Sequence, residues 1–213
     1  MKNDGLLIVL SGFSGSGKGT VMKRLMEKYP GEYALSVSAT TRSPREGERE
    51  GIEYYFKTQD EFEEMIANDE LLEYARYVEH YYGTPKFYVE DKRRSGIHVF
   101  LEIEIQGALK IKEKFPDTLL IFLVPPSIPE LAGRLRGRGT ESEDVVKARL
   151  SQARVESGYM DRYDYIVVND DLEMCVEQVH DIVQVQKFQA KRSTELISRL
   201  QHQLDDFLKG ENV

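Results

Sequence analysis

The sequence predicts an α/β fold, a parallel β-sheet flanked by helices, on three observations. Four short apolar runs at residues 6–10, 99–105, 119–124 and 165–168 are nearly continuous rather than alternating, as strands covered on both faces are. Helix-like stretches separate them, which implies βαβ units. The first run leads at once into "GFSGSGKGT" at residues 12–20, a glycine-rich turn between a strand and a helix.

In chain order, residues 20–28 follow the turn with Val21, Met22, Leu25 and Met26 at helical spacing. Residues 36–90, rich in Arg, Tyr and Glu, break the strand–helix rhythm and read as an insertion lining a cleft. Glu102 and Glu104 close the second run; two apart on a strand they share a face, so both are expected to point into that cleft. A helix is predicted over 107–114, ending before Phe115-Pro116. After the third strand, residues 133–154 carry Arg134, Arg136, Arg138, Arg149 and Arg154 and read as a second insertion. Beyond Asp171, apolar residues from Val179 to Leu208 recur every three to four positions, predicting one long helix or two. In a parallel sheet the ligand sits past the carboxyl ends of the strands, so the glycine turn, Glu102, Glu104, Pro125-Pro126-Ser127 and Asn169-Asp170 are the informative positions.

Composition excludes several classes. The 213 residues, 40% hydrophobic, suffice for a real core. A net charge of -8 disfavours nonspecific nucleic-acid binding and assigns any phosphate recognition to local basic clusters. The single cysteine, Cys175, forms no intrachain disulfide, and four scattered histidines offer no zinc spacing. No apolar run approaches the roughly 20 residues of a membrane helix, and no charged-then-apolar leader precedes them, so a cytoplasmic protein is expected.

The glycine turn nearly fits the phosphate-loop pattern G-x-x-x-x-G-K-[ST], with Gly19 where a hydroxyl is usual. Backbone N–H groups and a helix N-terminus form an anion nest there, and Lys18 reaches the outer phosphates. Gly19 removes the side chain that usually meets Mg²⁺. The metal is therefore expected to be held by nucleotide phosphates and water, with no direct protein ligand, and Thr20 to offer its hydroxyl to phosphate.

Downstream, Arg42 and Arg45 stand three apart beside Ser38, Tyr54 and Tyr55, which is chemically a second anion site. With "GFSGSGKGT", "VSATTRSPREGE", "YYF", "LLEYA", "YYGT", "LEIEIQGA", "PPS", "RLRGRGTESE" and "VVND" in order, the chain resembles the guanylate kinases, a nucleoside monophosphate kinase family. The second of these motifs is far more specific than the first.

The resemblance implies a P-loop kinase fold: core at 1–36, 92–132 and 158–190, a GMP-binding insertion at 37–91, an arginine-bearing lid at 133–157 and a helical tail at 191–213. It implies ATP at Gly12, Phe13, Ser14, Gly15, Ser16, Gly17, Lys18, Gly19, Thr20 and Asn169. GMP would meet Ser38, Arg42, Arg45, Glu48, Tyr54, Glu73, Tyr82, Thr84, Glu102 and Glu104. Lys18, Arg134, Arg138 and Arg149 would be catalytic, with Mg²⁺ accompanying ATP. Guanine's N1–H and N2–H can both donate to one carboxylate, which supports Glu73 independently. The chain departs from the family pattern at Glu104, often aspartate, and at Phe13, often proline. The reaction implied is phosphorylation of GMP, and of dGMP, by ATP. A ribose bisphosphate kinase or a non-catalytic phosphopeptide-binding module stands as the alternative. The apolar stripe at 196–208 is left to pack on the core or on another subunit.

Overall fold

In the computed structural model, which describes residues 4–77, 79–137 and 142–209, the first apolar run becomes β1 (Leu7–Gly12) and the turn feeds α1 (Lys18–Lys28). Next come β2 (Tyr33–Leu35), β3 (Ser38–Thr40), β4 (Tyr54–Phe56), α2 (Gln59–Ala67), β5 (Leu71–Tyr77), β6 (His80–Pro85) and α3 (Lys86–Arg94). The chain continues through β7 (His98–Leu101), α4 (Ile105–Lys114), β8 (Leu119–Val124), α5 (Ile128–Arg136), α6 (Glu143–Glu156) and β9 (Tyr165–Val168), then α7 (Leu172–Gln186) and α8 (Thr194–Leu208). Among the described residues no helix is long and apolar enough to cross a membrane.

Two compact units divide the chain, Met1–Val176 and Glu177–Val213. The first contains a five-stranded parallel sheet in the order β2-β7-β1-β8-β9. Leu7 and Val9 of β1, Val99 and Leu101 of β7, and Leu120 and Phe122 of β8 enter one buried cluster with Ile105, Ala108 and Ile111 of α4 and Leu131 and Leu135 of α5. Alternate residues Ile8, Leu10, Phe100 and Ile121 are equally buried, as strands covered on both faces require, and α1 lies against β1 with Val21, Met22 and Leu25 inward.

The segment read as an insertion holds a second, four-stranded sheet, ordered β4-β3-β6-β5. Its own small core gathers Ala39, Phe62, Met65 and Leu71, with Phe62 stacked on Tyr81 at 5.2 Å between ring centroids. The helix that delivers Phe62, α2, begins at a capping box: Thr58 accepts from the Glu61 N–H, and Glu61 accepts from the Thr58 N–H. Between β5 and β6 the register shifts by one, Leu71 pairing Pro85 but Tyr74 pairing Gly83. Leu72 and Glu73 thus both stand opposite Thr84, a β-bulge. Leu71 belongs to the Phe62 cluster and Leu72 to the large one.

The second unit continues α7, turns through a short 3-10 segment at Ala190–Arg192 and ends in α8. Along α8, Ile197, Leu200, Leu204, Phe207 and Leu208 are exposed.

Two sequence expectations need correction here. Strand β7 ends at Leu101, so Glu102 and Glu104 are not strand residues; Glu104 is the N-cap of α4, with an extended φ/ψ of -71°/161°. The edge strand β2 was not among the four apolar runs.

Because Phe62 is fully buried and anchors the smaller sheet, Phe62→Ala is expected to destabilise the protein by about 3–5 kcal/mol, read as a lower urea midpoint.

Candidate active site

The loop after β1 runs tightly against its neighbours. A Cβ on Gly12 would stand 2.2 Å from the carbonyl oxygen of Leu123 on β8, and Gly17, the N-cap of α1, adopts φ +94° with the Asn169 side-chain nitrogen 2.4 Å from where its Cβ would be. That nitrogen donates to the Ser16 carbonyl at 2.8 Å, while the Asn169 backbone N–H donates to Val124. Lys18 Nζ donates to the carbonyls of Gly12 (2.7 Å) and Phe13 (3.2 Å), folding its ammonium over the start of the loop. Ser16 is buried, and its Oγ has no hydrogen-bond partner among the described residues. The Phe13 ring is buried edge-on against Phe122 at 5.2 Å, so its side chain packs the core and only its backbone faces the loop. Ser14 and Thr20 are exposed, as is Gly19, which has no atom within 4 Å of a Cβ position.

From the arginine-rich segment, Arg149 on α6 donates to Ser14 Oγ at 2.9 Å. Arg134 on α5 donates to the Asn169 carbonyl at 2.9 Å and to Glu130 at 3.0 Å. Both therefore reach the glycine loop or its immediate support. Arg136 instead pairs with Glu143, and Arg138 lies outside the described residues.

Across the first unit, Ser38, Tyr54, Glu73, Tyr82, Glu102 and Glu104 line one cleft of about 460 Å³. The two glutamates share it as expected, though from a loop and a helix cap rather than from a strand face. Glu73 Oε1 accepts from the hydroxyl of Thr84, itself fully buried, at 2.8 Å. Burial pushes the Glu73 carboxyl above the usual carboxylate range, opposed by the Thr84 hydrogen bond and the Lys110 charge.

Beside the cleft, the Arg42 guanidinium donates to both oxygens of Glu48 at 2.9 and 3.0 Å and lies over the Tyr54 ring at 5.4 Å. Glu48 is held below its ordinary value first by that pairing and next by the Arg45 N–H at 2.8 Å. Tyr54 and Tyr82 meet edge to face at 6.1 Å. Arg45 is exposed and does not line the cleft.

Sequence reasoning missed Lys110 and Gln106, which line the cleft from α4; their i,i+4 spacing on a helix is the signal that could have found them. It also missed Glu156, at the end of α6, whose carboxyl is raised by burial and which feels the charges of Lys18 and Glu104. No local pattern announces that burial. Cys175, buried on α7, has its thiol pushed up to about 11 by desolvation, which leaves it unreactive.

A glycine loop at the end of the first strand with arginines directed at it, and a separate cleft lined by the Glu73 carboxylate, give the first unit a donor-rich end and an acceptor end. A family model for guanylate kinase matches residues 5–186. The chain belongs to the guanylate kinase family. A guanylate kinase of Lactococcus lactis subsp. lactis is 50% identical over 206 residues, covering 97% of this chain and 98% of that one. One from Bacillus cereus is 54% identical over 179 residues, 84% and 87% of the two chains. The crystal structure of guanylate kinase from Anaplasma phagocytophilum superposes with a TM-score of 0.68 at 34% identity, covering 90% of each chain. The α/β P-loop kinase architecture expected from the family is the one observed.

The raised Glu73 carboxyl has a consequence for the ligand-free protein. A folded-state value above the unfolded one means that the unfolded chain releases this proton first, so the stability associated with Glu73 is full below about pH 4 and is lost as pH rises through the folded-state value. Glu73→Gln, which keeps an oxygen for Thr84, should gain in melting temperature relative to the parent between about pH 4 and pH 7. A gain that shrinks over that range would contradict the assignment.

Proposed function

We propose that this chain transfers the γ-phosphoryl group of ATP to GMP, giving ADP and GDP. The observation that carries this reading is the Glu73 carboxylate lining the cleft with the buried Thr84 hydroxyl donating to it from behind. An ionised Glu73 accepts from guanine N1–H and N2–H, so binding supplies the two donors that offset the carboxylate's burial. Adenine offers an acceptor at N1 and would leave that charge unpaired. A ribose bisphosphate kinase or a phosphopeptide module has no use for such a pair.

The GMP phosphate is held by Arg42, Arg45, Tyr54 and Tyr82, with Ser38 beside it and Glu48 fixing the plane of the Arg42 fork. Glu102 and Glu104 border the base. None of these side chains addresses the 2′ position, so dGMP serves as well. The nucleotide donor lies on the loop Gly12-Phe13-Ser14-Gly15-Ser16-Gly17-Lys18-Gly19-Thr20, whose N–H groups and helix N-terminus meet the phosphates, with Asn169 bracing the turn. An oxygen of the GMP phosphate attacks the γ-phosphorus, and the bond to the β–γ bridging oxygen breaks as ADP leaves. The acceptor is already ionised, so no general base is required. Lys18, Arg134, Arg138 and Arg149 neutralise charge on the moving group and exclude water.

Among the described residues no cluster of His, Cys, Asp or Glu is built for a metal. Position 19 is open, leaving room for water around an Mg²⁺ that arrives with ATP as part of the substrate. When bound, the ion shields the phosphate charges. Thr20 gives its exposed hydroxyl to phosphate.

A coupled ADP-release assay against each nucleoside monophosphate is expected to show GMP and dGMP as acceptors with AMP, CMP and UMP nearly inert; equal use of AMP would overturn the reading. Glu73→Gln should reduce the GMP-over-AMP ratio of kcat/KM by about 100-fold or more. Arg149→Ala should lower kcat by about 10²–10³-fold with a much smaller change in KM for either substrate, as expected for a group that acts on the transition state.

A further inference from the structure

The apolar residues of α8 form a two-heptad seam. Ile197, Leu200, Leu204 and Phe207 follow the 3-4-3 spacing of a and d positions, and all four are exposed, at 40%, 48%, 62% and 76%. The family match ends at residue 186, before this helix begins. The seam therefore lies outside the part of the chain that the family model matches.

We propose that α8 is a self-association element, pairing antiparallel with the α8 of a second copy of this chain. Three features of the helix select that occupant. First, the positions flanking the seam, Leu196, Gln201, Gln203 and Leu208, carry no charge, so a second copy meets no like charge beside the apolar strip. Second, the pattern is symmetric about His202: position 197 mirrors 207, 200 mirrors 204, 196 mirrors 208 and 201 mirrors 203. Antiparallel pairing centred there stacks Ile197 on Phe207 and Leu200 on Leu204 of the other copy, so every layer is apolar and each Phe207 meets the smaller Ile197. A parallel pair would set Phe207 on Phe207 and align both helix dipoles. Third, the charges are unevenly placed. Asp205 and Asp206 crowd the carboxyl end, where they oppose the helix dipole, while Arg199 lies in the amino-terminal half. Antiparallel pairing places the acidic end of one helix alongside the half of its partner that carries Arg199 and the positive dipole end. An anionic membrane is a poorer match, because the polar face presents Glu195, Asp205 and Asp206 against Arg199 and Lys209.

Two heptads make a small contact, below the roughly 800 Å² per partner of a standard interface, so association is expected to depend on concentration. Sedimentation velocity of the full chain should show a species of about twice the 24.6 kDa of one chain growing with concentration. Leu200→Glu and Leu204→Glu, each at an exposed site, should abolish it with kinase activity retained. Orientation is read from engineered cysteines, the native Cys175 being buried. Under mild oxidation a mixture of the Ile197→Cys and Phe207→Cys chains should form a mixed disulfide dimer, whereas Ile197→Cys alone should not. A parent chain that stays monomeric up to about 1 mM overturns the proposal, as does a monomer that instead sediments with phosphatidylserine vesicles. Cross-linking of Ile197→Cys to itself, without the mixed product, overturns the antiparallel arrangement.

Discussion

The hydrogen bond from the Asn169 side chain to the Ser16 carbonyl holds together much of what the first unit does. A chain leaving β1 must turn into α1 within five residues and still present its N–H groups outward. It achieves this only with Gly17 in a left-handed conformation, a conformation that needs support from outside the loop. Asn169 provides that support from the end of β9, two strands away in the sheet, so the β1-β8-β9 order is a condition for the loop's shape. The same residue's carbonyl receives Arg134, which couples the arginine-bearing helix to the loop through one asparagine.

The two ends of the site are built on opposite electrostatic terms. The glycine loop is an assembly of donors: N–H groups, a helix N-terminus and an ammonium. The Glu73 cleft is a buried acceptor, and burial works against its charge. Left without a ligand it is a local cost to the fold, offset in part by Thr84 and Lys110. The Arg42–Glu48 pair follows another logic. Both side chains are largely covered, at 14% and 18% exposed, and the pairing contributes orientation, since hydrogen bonds to Glu48 and to the Ser43 carbonyl and a tyrosine face fix the guanidinium.

Much of this was legible in the sequence because the signals are local. The buried strands β1 and β8 announce themselves as continuous apolar runs, as does β9, although it is an edge strand on which only Val167 is buried, and the residues after them, including Asn169, stand where a parallel sheet places its ligands. Where reading failed, the missing information was tertiary. Strands β2, β3 and β4 have three residues each, too few for any periodicity, and exist because neighbours pair with them. Residues 99–105 read as one strand because Ile103 and Ile105 continue its apolar pattern, yet pairing with β1 stops at Leu101 and Ile105 opens α4. Glu156 looks like any glutamate on a charged helix until packing covers one of its carboxylate oxygens.

The bulge in β5 bears on how this region can change over time. Leu71, Leu72 and Glu73 are consecutive, yet they serve the small core, the large core and the cleft respectively, an allocation that a regular strand with two faces cannot make. One surplus residue is what separates the three duties. Loss of a single codon here would return the strand to strict alternation and force one of the three side chains out of its place. Substitutions elsewhere in β5 can be absorbed one at a time, whereas length at this point cannot drift, and the place of the Glu73 carboxylate in the cleft is bound to the spacing of a strand.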